Sequence, residues 1–231
     1  MITLLVATRG RPMMLASMWA SALAAADDPA GLRLVYRVDD DDPAGYPDDL
    51  PGHWLRVSGP RIVLSQAWNE AYAGAAILGN GPDEIFWHGG DDNLFRTPGW
   101  DGMVRQAHAR FPDGIAFVHG RDGIQDARLG THGFVTRRWV DASGFFVPPY
   151  FVSDYNDTWL TEVADAIGRR VYLDGMLIEH MHPTAGKAAW DLTHQERLAR
   201  HSAEDPGALY ARTAGERADH ADRLRKAMGD S

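Results

Sequence analysis

Side-chain chemistry is concentrated at four places in the sequence. In "EIFWHGGDDNLF" an apolar run ends at two adjacent carboxylates, Asp91 and Asp92. Adjacent like charges repel unless a cation faces them. A carboxylate pair at a strand end suits a hard divalent ion with oxygen ligands, Mg2+ or Mn2+. The same pair, with Asn93, also suits a turn and a helix cap. A second acidic run, Asp39-Asp40-Asp41-Asp42, follows "LRLVYRV". Most of it reads as an exposed Asp-Pro turn. Its first member is flush with the apolar stretch, where a carboxylate could accept hydrogen bonds from a base N–H or from ribose hydroxyls. Asp157 opens an amphipathic segment, and Asp154 lies three residues earlier. Either could be a general base toward a hydroxyl, and helix capping is the alternative for Asp157. His180 and His182 are two apart, so on a strand they share a face. They could include a metal ligand, or form the polar end of an edge strand.

The elements that must carry these residues alternate. "ITLLVA" (2–7) is a short apolar strand closed by "TRGRP", and Pro12 suits a first helical turn. Met14, Leu15, Met18, Trp19 and Leu23 follow at helical spacing. Strands are expected at 32–38, 54–58, 84–89 and 114–120, with helices at 61–78 and after "TPGWD". This pattern predicts an α/β/α sandwich with a mostly parallel central sheet. In such sheets ligands bind beyond the carboxyl ends of strands. Thr8-Arg9, Asp39 to Asp42 and Asp91-Asp92 all fall there. Further on, 133–146 mixes a strand and a short helix, and 157–168 is a helix stopped by Gly168. The segment 169–183 reads as a strand, a turn and a second strand. The rest is charged and helical, a tail that packs over the domain or is partly mobile.

Composition narrows the classes. The chain has 231 residues, 45% of them hydrophobic and 24% charged, which suits one globular domain with a small appendage. There is no cysteine, which excludes disulfide scaffolds and zinc-thiolate sites. A net charge of −9 with no Lys/Arg block leaves no electrostatic footprint for nucleic acid. "MMLASMWASALAAADD" imitates a secretory signal, but "MITLLVATRGRP" before it reads as a strand and a turn rather than a charged leader. No apolar run reaches the ~18 residues of a membrane helix. A cytoplasmic protein is the expectation.

Taken in order, these motifs resemble nucleotide-sugar glycosyltransferases of the GT-A fold, family-2 type, and look closest to small glycosyltransferase-like proteins of actinobacterial viruses. The resemblance runs from residue 2 to about 191. It rests on "ATRGRP", the Asp39/Asp40 strand end, "SQAWNEAYAGA" with Asn69, the segment "GGDDNLFRTPGWD", and "HPTAGKAAWD". It implies a catalytic domain over 1–191, with a nucleotide-binding half (1–98) and an acceptor half (99–191), and a helical extension over 192–231. The family's Asp-x-Asp motif lacks its first Asp here, because Gly89-Gly90 precede Asp91-Asp92. The resemblance then makes Asp91 the metal ligand and Asp92 its flanking partner, with His180 or His182 as a further ligand. Thr8, Arg9, Arg11, Asp39, Asp40, Asn69 and Asp91 would hold a UDP- or GDP-sugar donor. The family's Glu-Asp pair falls on Asn156-Asp157, which leaves Asp157 as the base and Asp154 in reserve. "THGFVTRRWVDASGFF" would face the acceptor, with Gly133, Phe134, Phe145 and Phe146 as its contacts. Most tryptophans are expected in the core.

The reaction implied is a metal-dependent (Mn2+ or Mg2+) transfer of a sugar to a hydroxyl acceptor, with inversion through an Asp base. For a viral relative the acceptor would be a modified DNA base in the host cytoplasm. Two other readings stand beside it. One is a nucleotidyltransferase on the same scaffold, disfavoured because "TRGRP" has one glycine and no lysine. The other is a degenerate module that binds a sugar or a protein partner without catalysis.

Overall fold

The structure is a computed structural model. It describes residues 1–79 and 81–229, and the side chains of all of these except 200–204. The first half alternates as expected: β1 (Ile2–Thr8), α1 (Pro12–Ala25), β2 (Leu32–Asp39), β3 (His53–Gly59), α2 (Leu64–Leu78) and β4 (Ile85–Gly90). A three-residue strand, β5 (Asn93–Phe95), then precedes α3 (Trp100–His108), β6 (Phe117–Arg121), β7 (Gly133–Thr136) and α4 (Arg137–Ser143). The chain continues with α5 (Asn156–Ala166), β8 (Arg170–His180), α6 (Leu192–Glu204), α7 (Pro206–Arg212) and α8 (Ala214–Ala227).

The strands form one sheet in the order β3-β2-β1-β4-β7-β6-β8-β5. β3, β2, β1 and β4 are mutually parallel, while β7 runs antiparallel to both β4 and β6. β1 shows why the sheet needs helices on both faces. Its Leu4 and Val6 point into a core with Leu15, Met18, Trp19, Trp100 and Val104 of α1 and α3. Leu5 points the other way, into a core with Trp68 and Ala71 of α2, Trp139 of α4 and Trp159 of α5. A strand buried on both faces is the parallel-sheet pattern. The result is the three-layer sandwich anticipated from the sequence. No helix among the described residues is long and apolar enough to cross a membrane.

Two expectations are corrected. Residues 169–183 are not a strand, a turn and a second strand: β8 is one strand that pairs first with β6 and then with β5. A bulge opposite Gly120–Arg121 absorbs "DGM" where a turn was expected. Gly120 permits it, since a Cβ there would stand 2.4 Å from the Met176 carbonyl oxygen. The second correction is β5, a strand at Asn93–Phe95 where the sequence reading placed none.

The last helix is integral to the domain. Leu224 and Ala221 of α8 join the α4/α5 core. The Trp159 indole N–H donates to His220 Nδ1 (3.0 Å), so His220 Nε2–H donates to Ser143 Oγ (2.7 Å). Burial pushes the His220 pKa down to about 3, which keeps the ring neutral in this chain of bonds.

Candidate active site

Backbone register brings the first acidic groups together. β1 lies between β2 and β4, with Thr8 opposite Val38 and Ala7 opposite Gly90. Asp39 and Asp91, each one residue further on, therefore flank Thr8 at the carboxyl edge of three parallel strands. The pairing of β5 with β8 sets Asn93 opposite His180. The Met181 N–H donates to the Asp92 carbonyl (2.8 Å), which returns the distant histidine segment to the acidic pair. One pocket results, lined by Thr8, Arg9, Arg11, Asp39, Asp91, Asp92, Asp154, Asp157, His180 and His182.

Within it, Asp91 and Asp92 have different partners. Asp91 accepts from Thr8 Oγ (2.6 Å) and from the Arg11 guanidinium (3.2 Å). Asp92 faces His180 Nε2 at 3.4 Å, with Arg11 further off at 3.9 Å. The cation that two adjacent carboxylates require is thus, in the first instance, Arg11. Burial pushes the Asp91 carboxyl up to about 7, against the pull of Arg11 and with the charge of Asp92 adding to the rise. Burial also works against ionised Asp92, but the bond to His180 and the neighbouring imidazoles outweigh it and hold that carboxyl below its usual range. Gly90 makes the arrangement sterically possible: a Cβ there would stand 2.4 Å from Asp92 Oδ1.

Among the described residues no three His, Asp or Glu side chains gather into a closed metal cage. Mg2+ and ions like it do not require one, since they take one or two carboxylates and complete their shell with phosphate and water. Asp92 and His180, an oxygen and a nitrogen donor 3.4 Å apart on the pocket wall, fit such an open site for Mn2+ or Mg2+. His182 also lines the pocket, with its ring 5.0 Å from that of His180; its Nδ1 is engaged by Thr184 (2.7 Å), which leaves Nε2 as its remaining ligand atom.

On the opposite wall, Asp157 occupies the first turn of α5 and takes the N–H of Thr158 (2.8 Å). Burial, with the charge of Asp154 adding, raises its carboxyl to about 6. Asp154 is paired with Arg197 of α6 at 2.6 Å. Between the two acids Tyr155 adopts φ +73°, a left-handed conformation that non-glycine residues rarely take. Packing against Phe151 and Tyr210 holds it there.

Several expected residues lie elsewhere. Asn69 faces the loop after α4: its amide donates to the carbonyls of Ser65 and Val147 and accepts from the Phe146 N–H (2.9 Å). It clamps structure and does not line the pocket. Asp40 is exposed and turned out. Gly133, Phe134 and Phe146 are buried in packing, and Phe145 stacks its edge on His220 (4.8 Å), so none of these four forms the pocket wall. Asp39 does line it, but with both oxygens engaged, one by buried Arg37 and the other by Arg9 (3.2 Å). Trp68 lines the pocket, as do Thr131 and His132 at the start of the segment expected to face the acceptor, and so do two residues that the sequence reading passed over, His194 and Arg197. For the last two the available signal was Asp191 three residues before His194, a capping position for α6.

No protein-family model matches the chain, and no curated protein matches it. Solved structures do resemble it. The mannosyltransferase PcManGT from Pyrobaculum calidifontis, in complex with GDP-Man and Mn2+, aligns over 98% of this chain and 85% of its own, with 13% identity and a TM-score of 0.56. Glucosyl-3-phosphoglycerate synthase from Mycobacterium tuberculosis, in complex with Mn2+, UDP and phosphoglyceric acid, aligns over 87% and 75%, with 13% identity and a TM-score of 0.51. TarS of S. aureus aligns over 77% of this chain at 10% identity and a TM-score of 0.51; the match spans 36% of the TarS chain. At these identities the likeness is one of fold, and the fold is that of GT-A glycosyltransferases.

Proposed function

We propose that the protein is a glycosyltransferase that moves a sugar from a UDP- or GDP-sugar to a hydroxyl acceptor, with inversion. The observation that carries this reading is convergence. Acidic and basic side chains from β1, β2, β4, α5 and β8, remote in sequence, line one pocket at the carboxyl edge of the parallel strands. The architecture shared with sugar-transferring enzymes supports it.

In this reading Asp92 and His180 hold the divalent ion, and Asp91 orients Arg11 instead of binding the metal itself. When bound, the ion neutralises charge growing on the departing diphosphate. Arg11 and Arg9 supply fixed positive charge on the same side of the pocket. Asp157 takes the proton of the acceptor hydroxyl as its oxygen attacks the anomeric carbon. The bond from that carbon to the diphosphate oxygen breaks, and the nucleoside diphosphate leaves with both electrons. A carboxyl raised to about 6 suits this task, being ionised near neutral pH and more basic than an ordinary aspartate.

The acceptor is a hydroxyl compound. The DNA-base version of the reading must contend with a net charge of −9. Calorimetry with UDP and GDP, each with and without Mn2+, tests the reading. Nucleotide binding strengthened by Mn2+ in the wild type and weakened in Asp92→Ala is expected. Failure of both nucleotides to bind under any divalent ion would refute it.

A further inference from the structure

Arg11 is the cation best placed to meet a diphosphate, and its donors are already taken. Its Nε and one terminal nitrogen donate in parallel to the two carboxylate oxygens of Asp191, both at 2.7 Å. That terminal nitrogen also meets the His194 ring at 2.7 Å, and the other faces Asp91 at 3.2 Å. A guanidinium fork grips carboxylate and phosphate in the same bidentate geometry. A fork closed on Asp191 is unavailable to a phosphate.

Asp191 belongs to a segment that crosses the pocket mouth. On one side Thr193 Oγ donates to the Arg9 carbonyl (2.9 Å), and Glu196 lies 3.8 Å from Arg9 and is paired with Arg61. On the other side Arg197 is paired with Asp154. Thr193, His194 and Arg197 all line the pocket. The segment has little apolar anchorage: over 192–199 only His194 is buried, and Leu192 and Leu198 are 74% and 43% exposed. Ion pairs hold it in place, together with the Thr193 hydrogen bond and the His194 ring against His182 and Trp190. Ion pairs near the surface stabilise weakly and are screened by salt. Asp191 itself is 37% exposed, so water can receive its carboxylate on release.

We propose that Asp191 is a built-in competitor for the donor diphosphate, and that exchange of Asp191 for phosphate at Arg11 unlatches residues 187–199 from the pocket mouth. The proposal rests on the donor-site reading above. It makes entry of the nucleotide the event that opens the acceptor side, because the strap that releases Arg11 also carries Arg197, the partner of Asp154.

Asp191→Asn separates the charge from the cap, since asparagine caps a helix as well as aspartate does and can still accept from the His194 N–H. The full chain and this variant are titrated with UDP and with inorganic pyrophosphate, in Mn2+, and amide exchange over 187–199 is followed in each state. UDP and pyrophosphate should bind the variant about tenfold more tightly, as expected when one charge-assisted fork is freed. The segment should exchange faster when UDP binds the wild type, and should already be fast in the nucleotide-free variant. Glu196→Gln, which loosens the strap at Arg61 and Arg9 but leaves the Arg11 fork closed, should speed exchange with a gain in affinity well below that of Asp191→Asn. Equal gains in both variants would overturn Arg11 as the point of exchange. UDP binding wild type and Asp191→Asn equally, with exchange unchanged, would overturn the proposal while leaving the donor site standing. Absence of binding in every form would instead remove the donor-site reading on which it rests.

Discussion

The two walls of the pocket are built by different means. On the proposed donor wall, backbone register does the work: β2, β1 and β4 run in parallel, so Asp39, Thr8 and Asp91 arrive side by side whatever the loops do. The proposed acceptor wall is built otherwise. Asp154 and Asp157 are placed by a left-handed Tyr155, by an ion pair to α6, and by the packing of α5 on α8. A register-built wall tolerates changes in its surroundings. A wall built from side-chain clamps is as good as the elements that supply them.

That contrast can be broken or sharpened by substitution. The largest effect is expected from Asp157→Asn, which should lower transfer by ~10²–10⁴-fold while UDP affinity in calorimetry stays unchanged. Equal loss of both would mean that the walls are not functionally separate. Next is Leu224→Ala on α8, a side chain with no exposed surface. It should lower stability by about 2–5 kcal/mol in chemical denaturation. Leu192→Ala on the strap, where the side chain is 74% exposed, should change it by under about 0.5 kcal/mol.

Asp92→Ala tests the donor wall directly. Nucleotide affinity in Mn2+ should fall by at least about 10–100-fold, and the remaining affinity should no longer respond to the ion. The smallest effect is in the pH profile. The Asp157 carboxyl is raised to about 6, so the working, ionised form is lost as pH falls through that value. Transfer should drop about tenfold per unit on the acid side. Asp154→Asn removes a neighbouring negative charge that favours the neutral form, so the acid limb should move to lower pH.

The strand ends at 8–9, 39–42 and 91–92 were legible in the sequence for the reason just given. Short apolar runs ending in "TR", "DDDD" and "DD" announce parallel strands and the chemistry at their tips, and the backbone does the rest. The place of Asp157 at a helix start was legible because that is a local event. Phe145, Phe146, Gly133 and Phe134 were misplaced because aromatic and glycine content near a site looks the same whether the rings line a pocket or fill a core. Asn69 was misplaced because its partners, Phe146 and Val147, lie 77 and 78 residues away. Arg11's bond to Asp191 spans 180 residues, and no local pattern encodes it. The β8 bulge also needs a glycine in the neighbouring strand, Gly120, which lies more than 50 residues before it.

Gly90 has an implication for how this site can change over time. An acidic side chain at that position, which would bring the strand end nearer to the Asp-x-Asp pattern, drives a methylene into the Asp92 carboxylate. A side chain at position 90 is accommodated only if the Asp92 carboxylate swings aside, so an added charge there and the present placement of Asp92 beside His180 are alternatives at one strand end.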